Sequence, residues 1–571
     1  MKKLLSLSTF GLLALLVVGC GGTSSSISPS TSQTPSISIG TSTSTGSSSV
    51  DTSVLTNKDF EKAKTTYIDD DGQEKELNMN TLYTNDGAPH LDSQETLHAL
   101  VVPFGFTDTS LQSVQTQENI DRIKLSFFGS REELEAAGGW MSVADYYKTS
   151  SFGDSDFEGE VLNTWVTYPG TADAFKTANL NNTGIGAATY IRNWYLTEYA
   201  KEGHGQLGAD AHPLSWYDAN QDGFLDLVWI VYSHPTVSGD TNNWWAYVTY
   251  TMAQKPTDIT NPVVQTLGWA SIDWLNKGFN GYDPHTFIHE TGHTYGLDDY
   301  YDYTNSWSPM GKIDMMDNNL GDHSAFSKFC LGWVNPLVVD IEKGEKAVIT
   351  LYPTTTSGDC FILPSQNYNG TAFDEYIMVE LMAPYGIIQE RDYTAGYQNV
   401  NGYSEAGIRI SHVDARVYKD NHDEYLTTNP QDGIGYRVCN TKGGRQGYKI
   451  DSDYWPRDNG TKQSYTLTSI FESYYNTSKY TLNAPDYGAS NSSLFGEGDV
   501  FTLNPAFGWG KNFMPSGSNL WNKAKTTTGW QGSNQTYEID ETMTCDYYLT
   551  VLSIEEDAEH GYVAQVQVEM L

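Results

Sequence analysis

Basic residues are scarce in this chain of 571 residues, in which 33 lysines and arginines accompany 71 aspartates and glutamates for a formal net charge of −38. A surface so short of positive charge repels a phosphate backbone, which argues against nucleic acid as a partner. The same acidity suits a soluble surface outside the cell. It does not by itself indicate which substrates the protein prefers, since solvated acidic faces are common.

Cysteine is also rare. Beyond Cys20 the chain contains Cys330, Cys360, Cys439 and Cys545, at wide and irregular spacing. This spacing is neither that of a disulfide framework nor that of a C-x-x-C metal site. One or two bridges would be compatible with an extracellular protein, but the spacing does not pair the cysteines.

Long apolar runs are missing except at the N-terminus, where two lysines precede an apolar stretch over residues 4–18. The stretch is too short and wrongly flanked for a membrane-spanning helix, and it is typical of a secretory signal. Its end, V-V-G-C, resembles a bacterial lipobox in which Cys20 becomes an acylated N-terminus. This predicts a lipid-anchored protein on the extracellular face of a bacterial membrane, attached by the anchor only. The alternative is ordinary secretion with Cys20 removed.

The H-E-T-G-H sequence at residues 289–293 carries the strongest prediction of function. Two histidines four residues apart lie on one face of an α-helix, so His289 and His293 can bind one metal ion. Glu290 lies beside them, where it can act as a general base on a water held at that metal. This is the H-E-x-x-H arrangement of zinc hydrolases. Asp299, six residues after the second histidine, is the expected third ligand.

Helix-capping residues on both sides of the motif predict the bounds of its helix. Asp283 followed by Pro284 is typical of an N-cap and a first helical position, and Gly296 is typical of a left-handed helix end. Together these signals predict a helix of roughly 12 residues.

Two questions about the ligand set stay open at this point. Asp298 adjoins Asp299 and offers a second carboxylate, although the spacing favours Asp299. His285 lies one turn before His289, so a ladder of three histidines is conceivable. We expect the His285 ring to support the ligands or to line a substrate cleft instead.

Residues 289–302, read as H-E-T-G-H-T-Y-G-L-D-D-Y-Y-D, resemble the motif of the immune inhibitor A-type metalloproteases, secreted bacterial members of the metzincin group. The family pattern is H-E-x-x-H-x-x-G-L-P-D-x-Y-D, and this chain departs from it at Asp298, where proline is usual. The resemblance implies a catalytic zinc ion held by His289, His293 and Asp299, with Glu290 polarising the attacking water.

Further segments resemble the same family over roughly residues 95–420. Residues 98–104 resemble its first strand, residues 142–153 its S-V-x-D-Y-Y … S-x-G signature, and residues 324–333 its closing helix. A metzincin places a Met-turn beneath its zinc site, and here Met316 is the first candidate and Met310 the second. Ordinary core packing is the other interpretation of these methionines.

A second candidate metal site is the D-A-N-Q-D-G-F-L-D sequence at residues 218–226. Oxygen ligands at alternate positions followed by glycine at the sixth are how a short loop wraps calcium. The twelfth position is Trp229 rather than the glutamate of an EF-hand, so the loop would be a single structural calcium site. An Asx-rich turn that needs no ion is the alternative. The expected calcium ligands are Asp218, Asn220, Asp222 and Asp226.

Composition divides the chain into five ranges. Residues 1–20 are predicted to be a lipoprotein signal peptide and residues 21–54 a Ser/Thr-rich flexible tether. Residues 55–95 form an N-terminal extension or a pro-segment. Residues 96–336 are predicted to be the zinc metallopeptidase domain, and residues 337–571 a β-rich C-terminal region of one or two domains.

The predicted fold class is α+β, with a metzincin-like catalytic domain, built on a mixed sheet and an active-site helix, followed by β-sandwich-like C-terminal domains. A helix is expected near residues 187–200 and an apolar strand at 227–232. Beyond the catalytic range, strands are expected at 347–352, 360–363, 375–382 and 408–413. A final antiparallel pair is expected at 547–554 and 562–570.

These observations predict a monomeric, cell-surface zinc endopeptidase that hydrolyses extracellular protein or glycoprotein substrates. The alternative comes from another class, a non-catalytic adhesin or glycan-binding surface lipoprotein with a peptidase-like fold. The tether and the aromatic-rich β-region favour the alternative. The intact set of two histidines, glutamate and aspartate favours the enzyme, because a non-catalytic descendant would be expected to lose it.

Overall fold

The structure is a computed structural model, and it describes residues 54–68, 72–79, 90–251, 253–301, 308–365, 368–395, 400, 402–415, 418–419, 434–435, 467–471, 489–502, 525–526, 537–538 and 547–570. The signal peptide, the lipobox at Cys20 and nearly all of the tether lie outside these residues and stay predictions. Within the described residues, no helix is long and apolar enough to cross a membrane.

Helices and strands occur in similar amounts and the strands form several sheets, which confirms a mixed α and β fold. The strands are β1 Leu55–Thr56, β2 Thr66–Ile68, β3 Glu74–Glu76, β4 Thr96–Gly105, β5 Asp156–Val161, β6 Val166–Thr167, β7 Phe224–Leu225, β8 Leu227–Tyr232, β9 Tyr247–Tyr250, β10 Val263–Val264, β11 Thr266–Ser271, β12 Leu337–Val338, β13 Lys346–Leu351, β14 Cys360–Pro364, β15 Glu375–Met382, β16 Gly407–Asp414, β17 Tyr418–Lys419, β18 Ile434–Gly435, β19 Thr468–Phe471, β20 Val500–Thr502, β21 Lys525–Thr526, β22 Tyr537–Glu538, β23 Tyr547–Asp557 and β24 Gly561–Met570. The α-helices are α1 Thr109–Gln112, α2 Gln117–Phe128, α3 Arg131–Ala137, α4 Val143–Ser150, α5 Ala172–Ala178, α6 Thr183–Tyr199, α7 His285–Thr294, α8 Met315–Asn318, α9 Ala325–Cys330, α10 Thr354–Ser357 and α11 Ile387–Ala395.

A six-stranded sheet organises the first half of the chain, in the order β5-β4-β8-β11-β9 with β6 beside β4. Strands β4, β5, β8 and β11 run parallel to one another, whereas β9 is antiparallel to β11 and forms one edge. Side chains alternate between the faces of the sheet: Val101 and Trp229 belong to one hydrophobic cluster, and Val102 and Ile230 belong to another. Helices α2, α4 and α7 pack on the first face, and α5 and α6 pack on the second.

Two five-stranded sheets form a β-sandwich in the second half, with orders β12-β14-β15-β16-β19 and β1-β13-β24-β23-β20. Alternate residues such as Phe361 and Ile377 share one cluster with Ile349 and Val566 of the facing sheet. The predicted strands of this region are present, and their bounds agree within one or two residues except that β23 extends three residues beyond its predicted end. Strands β23 and β24 are antiparallel as expected.

One hydrophobic cluster crosses the predicted boundary between residues 336 and 337. The outward face of β14 and β15, including Ile362 and Met378, packs into the same cluster as Phe287 and Ile288 of α7. The division into a catalytic and a C-terminal domain stays a prediction, and within the described residues the two ranges share a continuous core.

The N-terminal extension packs against this core and pairs with its strands. Strand β1 pairs in parallel with β13, the Ala63 N–H donates to the Pro336 carbonyl, and Leu77 and Met79 are buried. The Leu91 N–H donates to the carbonyl of Thr294, the last residue of α7. Residues 55–68, 72–79 and 90–95 therefore contribute contacts that a removable pro-segment would take away.

A buried ion pair joins β15 and β16. The Arg409 guanidinium bonds to Glu380 Oε1 at 2.8 Å and donates to the Ile313 carbonyl at 2.9 Å, and both charged side chains are 2% exposed. Since Ile313 precedes α8, this pair also ties the sandwich to the residues beneath α7.

Replacing one partner of this pair should destabilise the fold strongly. We expect Arg409→Met to lower the free energy of unfolding by about 3–5 kcal/mol, because it leaves Glu380 buried without its cation. The double variant Arg409→Met/Glu380→Met should recover part of that loss. Denaturant unfolding followed by circular dichroism measures both. Lys346→Met, which breaks the half-exposed pair with Glu569, is the control and should cost less than about 1 kcal/mol. An equal effect of Arg409→Met and Lys346→Met would contradict this account.

Candidate metal centre

Helix α7 carries the H-E-T-G-H sequence and is buried over nearly all of its length. It begins at His285, one residue later than predicted, and Pro284 rather than Asp283 occupies the N-cap position. The Asp283 carboxylate still accepts a hydrogen bond from the His285 N–H at 3.1 Å and so satisfies one of the free donors at the helix start. Gly296 has a φ of +93°, the left-handed conformation predicted for the end of this helix.

Side chains from other elements fix the position of α7. The Tyr147 hydroxyl on α4 donates to the Ile288 carbonyl at 2.7 Å, and the Trp229 indole on β8 donates to the Thr291 hydroxyl at 3.1 Å. Gly292 lies where any side chain would collide, since a Cβ there would come within 2.7 Å of Met316 Sδ. The helix thus approaches α8 closely.

Three predicted ligands come together at the C-terminal end of α7. His289 Nε2 lies 2.9 Å and His293 Nε2 lies 3.3 Å from Asp299 Oδ1. Among the described residues, these form the one group of three or more histidine, cysteine or carboxylate side chains whose ligand atoms lie within 4.8 Å of one another. The geometry brings in Asp299 rather than Asp298.

Each imidazole is oriented through its other nitrogen. His289 Nδ1 donates to the Met315 carbonyl at 2.7 Å, and His293 Nδ1 donates to the Leu297 carbonyl at 2.7 Å. These bonds leave Nε2 of both rings directed at the cluster. A metal-binding histidine usually donates its remaining N–H to a carbonyl or carboxylate, which fixes the tautomer.

This donor set fits zinc. Nitrogen and oxygen ligands lie about 2.0–2.2 Å from a tetrahedral zinc ion and therefore roughly 3.3–3.6 Å from one another. The 3.3 Å distance from His293 to Asp299 matches that spacing, and the 2.9 Å distance from His289 to Asp299 is shorter, as in a hydrogen bond. Two imidazoles and one carboxylate from the protein match the three-ligand sets of catalytic zinc sites, which keep one position for water or substrate.

Charges within the cluster compensate one another. Burial alone would lower the pKa of His293, but the Asp299 carboxylate raises it to about 10. Burial acts to raise the pKa of Asp299, and the two histidines hold it well below its usual value. A bound cation would replace the proton on the imidazole, so metal binding at this site is coupled to proton release.

Glu290 is buried and lines a cleft beside the ligands. The cleft has a volume of about 660 Å³ and is lined on one side by α7 and on the other by the edge strand β9. Burial raises the pKa of Glu290, while the neighbouring His293 and His289 act in the opposite direction. A carboxylate whose pKa is raised toward neutrality is suited to accept and return a proton.

Strand β9 forms the edge of the sheet beside the cleft. Thr251 bonds to Gln265 of the adjacent segment, and the register pairs Tyr250 with Thr266 and Val248 with Gly268. Because hydrogen-bonded and non-bonded pairs alternate in antiparallel strands, Val248 and Tyr250 direct their N–H and C=O groups away from β11. The Val248 N–H points at Glu290 and lowers the pKa of that carboxyl.

The residues of the predicted Met-turn lie beneath α7, and it is a backbone carbonyl of this segment that contacts a ligand. Met316 is fully buried with its sulfur against Gly292, and the neighbouring Met315 supplies the carbonyl that orients His289. Met310 is buried too, but its sulfur accepts a bond from Thr468 on β19.

The loop at 218–226 uses its oxygens as acceptors for its own backbone. Asp218 accepts from the Asp222 and Gly223 N–H groups, Asn220 accepts from Asp222, and Asp226 accepts from Ala219 and from His98 of β4. These are the bonds of an Asx-rich turn. Calcium binding by Asp218, Asn220, Asp222 and Asp226 stays a prediction.

A buried network behind the ligands was not expected from the sequence. His285 donates through Nδ1 to Asp283 at 2.6 Å and through Nε2 to Asp392 of α11 at 3.1 Å, and its ring stacks on Trp140 at 4.2 Å. Asp392 also accepts from the Gly321 N–H. His285 is therefore held in an ion network and supports α7 from behind.

Two further residues near the ligands received no role from sequence reasoning. The Tyr250 hydroxyl donates to the His293 carbonyl at 3.2 Å. Tyr301 lines the cleft, with its ring 6.4 Å from that of His289, and burial together with Asp299 raises its pKa well above the usual value. Cys330 and Cys360 are both buried free thiols, and Cys439 and Cys545 lie outside the described residues.

Comparisons with protein-family models, with curated protein sequences and with solved structures find no match to this chain. What the site can do therefore rests on its own residues and geometry.

The His285 network should make stability depend on pH. Burial would lower the His285 pKa, but Asp392 and Asp283 raise it from 6.5 to about 9. A raised pKa stabilises the fold fully below pH 6.5, and the contribution is lost as the pH rises through 9. We expect the metal-free protein to exceed His285→Gln in free energy of unfolding by up to about 3 kcal/mol at pH 6, with the difference shrinking toward pH 9.5.

Denaturant titrations at pH 6, 7.5 and 9.5 measure this difference. Asp392→Asn removes one of the two carboxylates and should move the loss of stability to lower pH. A difference between the two proteins that stays constant over the whole range would rule out a charged His285.

Proposed function

We propose that this chain is a zinc-dependent endopeptidase that cleaves extracellular proteins or glycoproteins. The observation that carries the proposal is the convergence of His289, His293 and Asp299 beside Glu290 in an open cleft. The motif at residues 289–302 supports the same conclusion, since it resembles that of the immune inhibitor A-type metalloproteases. On this proposal the α7 region and its mixed sheet are a metzincin-like catalytic unit.

Glu290 is the proton carrier of the proposed reaction. Its carboxylate accepts the proton of the attacking water and then delivers that proton to the amine that leaves the cleaved peptide bond. Its position next to both ligands, and its exclusion from the ligand set, favour this role. Bound zinc supplies a Lewis acid that polarises the scissile carbonyl and water.

Edge strand β9 is suited to hold the peptide. As the edge strand, β9 can pair through its outward main chain with an extended substrate, as in β-strand addition. Such pairing binds main chain rather than side chains, so it positions a scissile bond against Glu290 without fixing the sequence. A peptide in this place would lie between β9 and α7, which is where the cleft runs.

The location and state of the enzyme are part of the proposal. The N-terminal signal and Cys20 support a lipid-anchored protein on the outer face of a bacterial membrane, acting as a monomer at the end of its Ser/Thr-rich tether. The acidic composition favours a partner other than nucleic acid.

Glu290→Gln should separate metal binding from turnover. The amide cannot accept the proton, so we expect peptide cleavage to fall by about 10²–10⁴-fold while the zinc content stays near one ion per chain. Cleavage of a protein mixture followed by mass spectrometry, with metal analysis of the same sample, measures both. Chelation should abolish activity, and zinc, but not calcium alone, should restore it.

Glu202→Gln is the matched control, because Glu202 is exposed and lies outside the cleft, and this variant should retain full activity. Full activity of Glu290→Gln would refute the assigned proton transfer. A wild-type protein that binds no zinc and cleaves nothing in a broad panel would favour the non-catalytic surface adhesin.

A further inference from the structure

The cleft continues beyond the metal ligands into a part with different chemistry. We call this the distal subsite and define it by Asn182, Thr241, Asn242 and Trp245. Asn182 immediately precedes α6, and the other three residues lie just before β9. The distal subsite is therefore continuous with the strand proposed to hold the peptide.

The polar groups of the distal subsite have no partners in the described part of the chain. Asn182 occupies the N-cap of α6, a position where asparagine usually caps the helix, yet its side chain makes no capping bond. The Thr241 hydroxyl, the Asn242 amide and the Trp245 indole N–H likewise form no hydrogen bond with the described residues. Asn242 and Trp245 accept hydrogen bonds through their backbone carbonyls. Two amides, a hydroxyl and an indole N–H offer several donors and two strong acceptor types to a ligand.

The Trp245 ring and the backbone of the distal subsite are held in place by contacts with neighbouring residues, although its polar side-chain groups form no such bonds. The Trp245 ring meets Trp274 edge to face, at 5.2 Å between centroids and 90° between planes. The Tyr247 hydroxyl accepts from the Gly184 N–H at 3.1 Å and donates to the Asn242 carbonyl at 3.3 Å, which holds the loop against α6. A ligand would meet an aromatic surface and polar groups whose backbones are already held in place.

The distal subsite also lacks charge. Among the described residues that line the cleft, the acidic ones are Glu290, Asp298 and Asp299, all at the metal end, and none is a lysine or an arginine. This is notable in a chain with 71 acidic residues. A charged side chain of a substrate would find no counter-ion here, whereas a neutral group rich in hydroxyls would find donors and acceptors.

We propose that the distal subsite binds a sugar unit carried by the substrate, so that the enzyme acts on glycosylated proteins. A sugar ring presents hydroxyls that both donate and accept, and a face of C–H groups that packs on an aromatic ring. The four residues supply the partners for both. This inference rests on the proposed peptidase function and names its substrate class.

Matched peptides test the proposal with the full-length protein loaded with zinc. One series carries a single O-linked N-acetylgalactosamine on a threonine placed at successive distances from the cleaved bond, and the other series is unmodified. We expect one placement of the sugar to raise kcat/KM by about tenfold or more over the unmodified peptide. Asn182→Ala and Trp245→Ala should each lower kcat/KM for that glycopeptide by about tenfold, the scale of one lost hydrogen bond or ring contact.

Asn193→Ala is the matched control, an exposed asparagine on the same helix α6 that does not line the cleft, and it should keep the preference for the glycopeptide. Thermal melting checks that the Asn182 variant is folded, which we expect because its side chain does not cap α6.

The outcomes separate the two proposals. Equal cleavage of glycosylated and unmodified peptides at every placement, or a preference that survives both distal variants, would overturn the sugar subsite and leave the peptidase intact. Cleavage that instead requires an asparagine or glutamine side chain in the peptide would also overturn it. If the wild type cleaves nothing, the peptidase proposal fails, and calorimetric titration of the same glycopeptide then decides on the subsite. Binding that Asn182→Ala abolishes would support the subsite, and absence of binding would overturn it.

Discussion

The burial of helix α7 is the constraint on which the rest of the site depends. A helix that carries four ionisable side chains into a hydrophobic core is costly unless every polar group has a partner. The partners come from all around it: a carboxylate after the helix for the ligand imidazoles, backbone carbonyls for their second nitrogens, and two carboxylates for His285. The apolar surroundings thus force a polar network that has few alternative arrangements.

That network draws on distant parts of the chain. Asp392, which lies beyond the predicted catalytic range, bonds to His285 at the start of α7, and Leu91 from the N-terminal extension bonds to the last turn. Arg409 reaches from the sandwich to the carbonyl of Ile313 just before α8, whose Met315 carbonyl orients His289. The ligand geometry is therefore supported by the extension and by the β-rich region as well as by the sheet beneath it.

Sequence reasoning succeeds where the interactions are local. Spacing along one helix and one turn placed His289, His293 and Asp299 together, and the left-handed Gly296 followed from the chemistry of helix ends. It gave strands such as β8 and β15 because apolar runs bounded by turn residues have few other uses. It missed the pairing of His285 with Asp392, since 107 residues separate them and no spacing rule connects such positions. It also missed β9, because four half-buried residues at an edge lack the apolar run that marks a central strand.

The ion pair within the cluster explains how the ligands can be arranged before any metal binds. Without a cation, the two imidazoles and the carboxylate attract one another only if one imidazole is protonated. A His293 pKa of about 10 describes that protonated state. The proton on His293 then holds that ring against Asp299 at 3.3 Å, a contact that a cation would take over. Because a bound ion need only replace that proton, little rearrangement of α7 is required, and the bonds to the Met315 and Leu297 carbonyls can persist. Burial of the helix and readiness of the cluster for a metal are in this sense one property, since both follow from pairing every charge that the core encloses.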